Sequence, residues 1–383
     1  MIVPPPICLD LASPRLLEQL SCLQNAAGIY EFGILGAAPH LGWSSNLARR
    51  LSKLLLPSYT GADSPISRLR GRIQRIECWR TGSRLESSLL LYQLAKINSP
   101  DGYQKLLKLR LPWFVHLNPG DGFARLEVTN RINPDSDAVF GPFSSRGPAQ
   151  LYEGEVSGLF QLRRCTDALE PDVNHSGCIY GEMGQCLRPC QCAVSGDEYG
   201  SETKRVHEFL KTNGRSVATS LSMSRARAAE ETNFEEAALI HRRLEKIKAA
   251  AALRPPVVRG IADFNGLALT ASASADEVVL WPVLAGLWVE PIRLNLRMRE
   301  QEGRSLDREL RGLVEEKLRR PEKEAGERDN GRMEHLAIFA RWYYSSWRDG
   351  EWFPFQTAAD LNYRKLVREI SKLASSTGDR GAT

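Results

Sequence analysis

RCTDALEPDVNHSGCIYGEMGQCLRPC, residues 164–190, holds four of the chain's 8 cysteines. They are Cys165, Cys178, Cys186 and Cys190, spaced C-x12-C-x7-C-x3-C, and Cys192 follows just beyond. Cys8, Cys22 and Cys78 are scattered elsewhere. Thiolates are soft ligands, and four of them joined by short loops suit zinc or an iron–sulfur cluster. Gly177, Gly181, Gly184 and Pro189 supply the turns that let a backbone wrap around such a group. The competing readings are disulfides and buried free thiols. Disulfides need an oxidising compartment, and the opening Met-Ile-Val-Pro-Pro-Pro has no basic region followed by an apolar stretch. Core cysteines do not normally cluster in this way, which leaves the soft-metal reading ahead.

Working outward, the chain of 383 residues is long enough for two or three domains. It is 42% hydrophobic and 25% charged, an ordinary globular balance. No apolar run approaches the ~18 residues of a membrane span, so a soluble cytoplasmic protein with no membrane partner is the expectation. The net charge of +5 is unevenly distributed. Arg49 to Arg110 contains thirteen Lys/Arg against Asp63, Glu77, Glu86 and Asp101. That excess suits a polyanion and points to DNA, with Arg49, Arg68, Arg70 and Arg72 as candidate contacts.

Local patterns give an α+β reading. After a lead-in with a short helix, Gly28-Ile29-Tyr30-Glu31-Phe32 reads as a strand, and His40-Leu41-Gly42 begins its return. Asn46 caps a helix whose Leu47, Leu51, Leu54 and Leu55 share a face. Residues 72–80 form a further strand, completing a three-stranded antiparallel sheet, and Thr81-Gly82-Ser83 opens a helix that stops before Pro100. Residues 113–117 and 123–129 make a strand pair, and Val139-Phe140-Gly141-Pro142-Phe143 reads as a tight loop. Beyond the cysteines come helices over 201–210, 216–229 and 234–252, the last with Phe234, Ala237, Ala238, Leu244 and Ile247 as its inward set. Short β-rich runs and an aromatic helix near Phe339, Trp342, Tyr343 and Trp347 fill a mixed C-terminal region. These patterns divide the chain at 24–104, 110–162, 163–194, 201–253 and 256–383.

In this order, several motifs resemble one family. They are the Gly-Ile-Tyr strand, Leu-Gly, Asn-Leu-x-x-Arg-Leu, the Thr-led helix ending at Pro100, Phe-Gly-Pro-Phe, the four cysteines and Phe234-Glu235-Glu236-Ala237-Ala238. Residues 10–252 resemble the N-terminal half of the UvrC family, the incision subunits of bacterial nucleotide-excision repair. The resemblance implies a GIY-YIG nuclease-like domain, a four-cysteine segment and a UVR helical hairpin. It also implies a 4Fe–4S cluster on Cys165, Cys178, Cys186 and Cys190, with zinc as the alternative, and a UvrB-type partner for the hairpin through Phe234, Glu235 and Ala238. The family's RNase H-like and helix-hairpin-helix modules have no counterpart in these residues.

The catalytic motif matches only in part. Tyr30, Gly42 and Arg50 fall on the family's first tyrosine, its glycine and its helical arginine, while His40 replaces the second tyrosine. Trp43 and Leu54 stand where a lysine and another tyrosine belong, and Leu91 stands where a glutamate should hold a divalent ion. Magnesium or manganese needs anionic oxygen, which leucine lacks. Glu86, five residues earlier, is rotated by about 140° on the same helix. His40 could still serve as a base. The expectation is a degenerate endonuclease site in a DNA-binding repair protein; the alternative is an active metal-dependent endonuclease.

Overall fold

Side-chain caps and apolar spacing set the N-terminal elements of the computed structural model, which describes residues 3–11, 13–23, 25–56, 72–120, 122–131, 138–297, 305–319 and 325–378. The chain forms two units: Met1–Arg110 together with Asn265–Thr383, and Leu111–Phe264. In the first unit, β1 (Ile7–Leu9), α1 (Leu16–Ser21), β2 (Gly28–Ile34), β3 (His40–Ser44), α2 (Leu47–Leu55), β4 (Ile73–Arg80), α3 (Arg84–Asn98) and α4 (Tyr103–Leu107) follow in order. The sheet runs β1-β4-β2-β3 and is four-stranded, not three. The added strand comes from the lead-in, where Ile7, Cys8 and Leu9 pair antiparallel with β4.

Asn46 Oδ1 accepts the Arg49 N–H at 2.8 Å and starts α2. Leu47, Leu51, Leu54 and Leu55 then bury against Tyr30 and Phe32 on one face of the sheet. Full burial of a leucine stabilises by about 1.5–3 kcal/mol, so this stripe anchors the helix. Ser83 Oγ caps α3 by accepting the Glu86 N–H at 3.0 Å. Leu90, Leu94 and Ala95 of α3 form a separate cluster with Ile29, Leu41 and Trp79. Alternation along β2 and β3 divides these cores: Tyr30 joins one, and its neighbour Ile29 the other.

In the second unit, β5 (Trp113–Asn118), β6 (Arg125–Thr129), β7 (Val139–Phe143) and β8 (Arg259–Gly260) form a sheet in the order β6-β5-β7-β8. The Phe-Gly-Pro-Phe stretch, expected as a loop, is therefore strand β7, buried throughout. Proline is tolerated there because the β5–β7 register shifts between Trp113 and Val115, opposite Gly141-Pro142, and the two-residue β8 pairs only with Phe140 and Gly141. Helix α5 (Arg146–Leu159) follows, an element that the sequence patterns do not indicate. Then come α6 (Ile179–Glu182), α7 (Gly196–Thr212), α8 (Arg215–Glu230) and α9 (Phe234–Ala252). A Ser195/Glu198 capping box begins α7 five residues before the expected start.

The first unit is completed by β9 (Gly266–Ala271), β10 (Glu277–Leu284), β11 (Leu287–Trp288), β12 (Ile292–Asn295), α10 (Leu306–Arg319), α11 (Ala325–Tyr343), β13 (Gly350–Pro354) and α12 (Tyr363–Gly378). The sheet order is β11-β10-β9-β13, with β12 also on β10. Leu267, Leu280, Leu310, Phe353, Leu366 and Ile370 are among the residues of its core.

Candidate active site and cysteine cluster

Register places the catalytic-motif residues together. Tyr30 lies opposite Gly42, and Phe32 opposite His40, across the β2–β3 pair. A Cβ at position 42 would lie 2.3 Å from Tyr30 Cζ, so only glycine lets the ring lie across β3. Tyr30 is 2% exposed. Its hydroxyl accepts from Arg50 Nε at 3.3 Å, one turn into α2. His40 stacks on Phe32, with ring centroids 6.0 Å apart, and lies 6.3 Å from Tyr30. Burial first, and the charge of Arg50 second, hold its imidazole pKa below the ordinary value. The imidazole is therefore neutral near pH 7, the form that accepts a proton. The group thus offers a base, a phenol and a cation.

Leu91 belongs elsewhere. It packs with Trp43 against the Ile29–Leu41–Trp79 cluster, not with Tyr30 and Phe32. Glu86 on the same helix is 6% exposed and already engaged. It accepts from Gly82 N–H at 2.7 Å and from the Arg293 guanidinium at 2.7 Å. The other buried carboxylate of this sheet, Glu31, accepts from Asn98 Nδ2 at 2.7 Å and pairs with Arg75. No hydrogen bond or ion pair joins a carboxylate to Tyr30, His40 or Arg50 among the described residues. Of the candidate DNA contacts, Arg49 is exposed at the start of α2, and Arg72 donates to Leu35 C=O at 2.7 Å. Arg68 and Arg70 lie outside the described residues.

The cysteine segment is tied down by its neighbours. The Tyr199 hydroxyl on α7 accepts from Arg163 N–H at 2.8 Å and donates to Ala124 C=O at 2.7 Å. Gln161 N–H donates to the Glu202 carboxylate, and Leu187 N–H to Gln161 C=O, so both ends of the loop are held beside α7. Gly177 turns the chain with φ +77°, its missing side chain leaving room for Gln191. Cys186 is buried, and its Sγ accepts from Arg188 N–H at 3.4 Å. Burial raises the Cys186 pKa most; Cys178, Cys165 and Cys190 raise it further, and the Arg188 N–H opposes them. Cys190 is likewise raised by burial, then by Cys178 and Cys165. Four thiols within electrostatic reach of one another, one of them buried with an N–H···S bond, are a donor set that fits a soft group. Among the described residues, no three Cys, His, Asp or Glu side chains are grouped so as to hold a metal ion. Cys192 is exposed.

The α8–α9 hairpin departs from expectation at one end. Leu244, Ile247 and Ala250 are buried, but Phe234, assigned inward, is 68% exposed, and Ala238 is exposed too. Phe234 is the first residue of α9, ahead of the Leu244–Ala250 stretch that is buried. Together with Leu239 and Met223 it leaves large apolar side chains in solvent, and Glu235 is exposed beside them.

Residues 112–209 match the family described as UvrC/Cho excinuclease, middle domain. Among curated proteins, the UvrABC system protein C of Desulfatibacillum aliphaticivorans is 28% identical over 249 residues, which is 64% of this chain and 41% of that protein. That of Limosilactobacillus reuteri is 28% identical over 240 residues, covering 62% and 38%. That of Oleidesulfovibrio alaskensis is 26% identical over 253 residues, covering 65% and 36%. The chain therefore spans about two fifths of the length of these relatives. No solved structure matches it. The sheet with its Tyr30–His40–Arg50 group and the tethered cysteine loop thus occur in a chain that is similar to UvrC proteins over about two thirds of its length.

Proposed function

We propose that this protein acts in nucleotide-excision repair as a DNA-binding, partner-binding factor whose GIY-YIG-type nuclease site is degenerate. The observation that carries this reading is the place of Leu91. The residue standing for the metal-holding glutamate is an aliphatic side chain packed with Trp43, and Glu86 is committed to Arg293. Hydrolysis of a phosphodiester needs a metal or cation on the phosphoryl oxygen, an activated water and a helped leaving group. Arg50 and His40 offer a cation and a base, but the oxygen ligand for Mg²⁺ or Mn²⁺ is missing from the motif.

In this reading, Cys165, Cys178, Cys186 and Cys190 hold a 4Fe–4S cluster, whose role is structural, and the exposed end of the hairpin docks a UvrB-type protein. An exposed aromatic residue at the end of a helix pair, with acids next to it in sequence, is what a helix-in-groove partner would take as an anchor. The basic stretch around Arg49 and Arg72 supplies salt-sensitive affinity for DNA.

The deciding measurement is nicking of damaged duplex with Mg²⁺ or Mn²⁺, comparing wild type with Arg50→Ala. The expected result is no cleavage by either. Robust wild-type cleavage abolished by Arg50→Ala would instead establish the active endonuclease, the reading that the retained Tyr30–Arg50 hydrogen bond favours. Anaerobic purification with iron, sulfide and zinc analysis tests the cluster; one equivalent of zinc without iron overturns it.

A further inference from the structure

The geometry points to a nucleotide-binding pocket in the first unit, formed where Trp43 and α3 meet α11 and the loop after it. The cavity of about 280 Å³ is lined by Trp43, Arg84, Leu91, Ile338, Arg341 and Trp347, among others. Its volume is near the ~300 Å³ lower end of small-molecule sites, room for a single nucleotide and little more. This inference goes beyond the repair reading and does not depend on it.

Arg84 is the centre of the site. Its guanidinium lies 3.7 Å from the Trp43 ring centroid and 4.8 Å from that of Trp347. Both indoles are thus within cation–π reach of the guanidinium. Its N–H edge meets no hydrogen-bond acceptor among the described residues. The nearby Asp349 carboxylate is engaged, by the Arg84 backbone N–H on one oxygen and by Trp342 Nε1 at 3.1 Å on the other. Arg341, a second cation on the wall, is exposed and spends one N–H on Leu107 C=O at 3.4 Å. Burial pulls the Arg84 pKa down, Asp349 pushes it up, and the like charge of Arg341 pulls it down again, so the two cations repel each other across the cavity. An anion between them relieves that repulsion.

The remaining walls define what else the ligand carries. Leu91 and Ile338 are apolar, and Trp43 and Trp347 are flat, which suits an uncharged planar ring. Ser88 adds a hydroxyl that donates to Arg84 C=O at 2.8 Å and keeps free acceptor capacity. Bases stack on aromatic rings and guanidinium planes, and phosphates take the edge of an arginine fork. A phosphate joined to a planar ring satisfies both halves of the pocket. Such a nucleotide can be free in solution or the unpaired, phosphate-bearing end of a strand.

The test uses the intact protein with dAMP, a 5′-phosphorylated single-stranded oligonucleotide, deoxyadenosine and inorganic phosphate, read by tryptophan quenching and titration calorimetry. The expected result is binding of dAMP at least tenfold tighter than deoxyadenosine or phosphate alone. If the oligonucleotide competes with dAMP the strand end is the ligand's source; if it does not, the free nucleotide is. Arg341→Ala, on an exposed side chain, and Arg84→Met, which retains an unbranched apolar stem, should each weaken dAMP at least tenfold without altering the circular dichroism spectrum. Leu91→Glu should abolish binding by placing a carboxylate in the cavity. Absence of dAMP binding, phosphate binding as tightly as dAMP, or unchanged affinity in both arginine variants overturns the assignment. Nicking and duplex binding are measured separately, so failure of the repair reading leaves this result unaffected.

Discussion

Replacing Glu334 by Gln should loosen the attachment of α11 to α3 and α4. The Glu334 carboxylate is 3% exposed. It accepts from the hydroxyls of Tyr92 and Tyr103 and from Gln104 Nε2, all at 2.6 Å. Burial first, and the bond to Glu334 second, push the Tyr92 phenol pKa well above its ordinary value, as expected of a donor facing a carboxylate. Glutamine preserves the shape but turns one acceptor oxygen into a donor and makes the remaining bonds neutral. A hydrogen bond to a charged group is worth about 1.5–3 kcal/mol net, and a neutral one about half that. Halving two bonds and losing the third should cost ~3–6 kcal/mol, whereas Tyr103→Phe, which removes a single donor, should cost ~1.5–3 kcal/mol. With a urea dependence of ~2–3 kcal/mol per molar, Glu334→Gln should lower the unfolding midpoint of the first unit by about 1–3 M. Trp288, Trp342 and Trp352 report on that unit by fluorescence. A midpoint within about 0.3 M of wild type, or a Tyr103→Phe loss as large as that of Glu334→Gln, would refute the reasoning.

His335 should make the same unit acid-sensitive. Its pKa is lowered from 6.5 to about 4, chiefly by burial, and its Nδ1 accepts from Trp288 N–H at 3.0 Å. The folded value lies below the unfolded one, so the stabilisation is complete above pH 6.5 and falls by about 3 kcal/mol as pH drops toward 4. His335→Gln should flatten that slope in a pH series of urea melts. Gly42→Ala should displace the Tyr30 ring, lower stability by ~1–3 kcal/mol and change the tyrosine near-ultraviolet dichroism. An unchanged spectrum would mean that the ring does not occupy the space beside Gly42. Phe234→Ala should leave the melting temperature within about 1 °C, since the side chain is already in solvent, yet weaken capture of a UvrB-type partner by ~2 kcal/mol, measured by calorimetry. Loss of stability without loss of affinity would assign Phe234 to packing instead.

Elements governed by local chemistry are legible in the amino-acid sequence. Asn46 and Ser83 cap their helices, leucine spacing picks the buried face of α2, and Gly28 to Phe32 alternates between two cores. What escapes such a reading depends on distant partners or on residues that usually break structure. Ile7 to Leu9 is a strand only because β4 offers it an edge. Gly141-Pro142 reads as a turn, and Gly147-Pro148 hides the start of α5, although proline in a first turn lacks only a donor that would be unpaired there. Hydrophobicity alone places Phe234 inward, whereas as the first residue of α9 it is 68% exposed. The Tyr30, His40 and Arg50 group can be assembled from a strand pair and a cap. The roles of Glu86, Glu334 and Arg84 cannot, since Arg293 and Asp349 lie more than 200 residues away along the chain.

The chain order of the first unit has a consequence for biosynthesis. Its N-terminal sheet and α3 are completed by residues that follow the whole of Leu111–Phe264. At ~5–20 residues per second, roughly 150 intervening residues take on the order of 10–30 s to leave the ribosome. During that interval Tyr92 and Glu86 of α3 lack Glu334 and Arg293, which later pair with them, while the second unit, contiguous in sequence, can close on its own. The nascent protein is then most exposed to proteolysis and aggregation at α3. Slowing translation within Leu111–Phe264 should lower the yield of folded protein more than slowing it after β13.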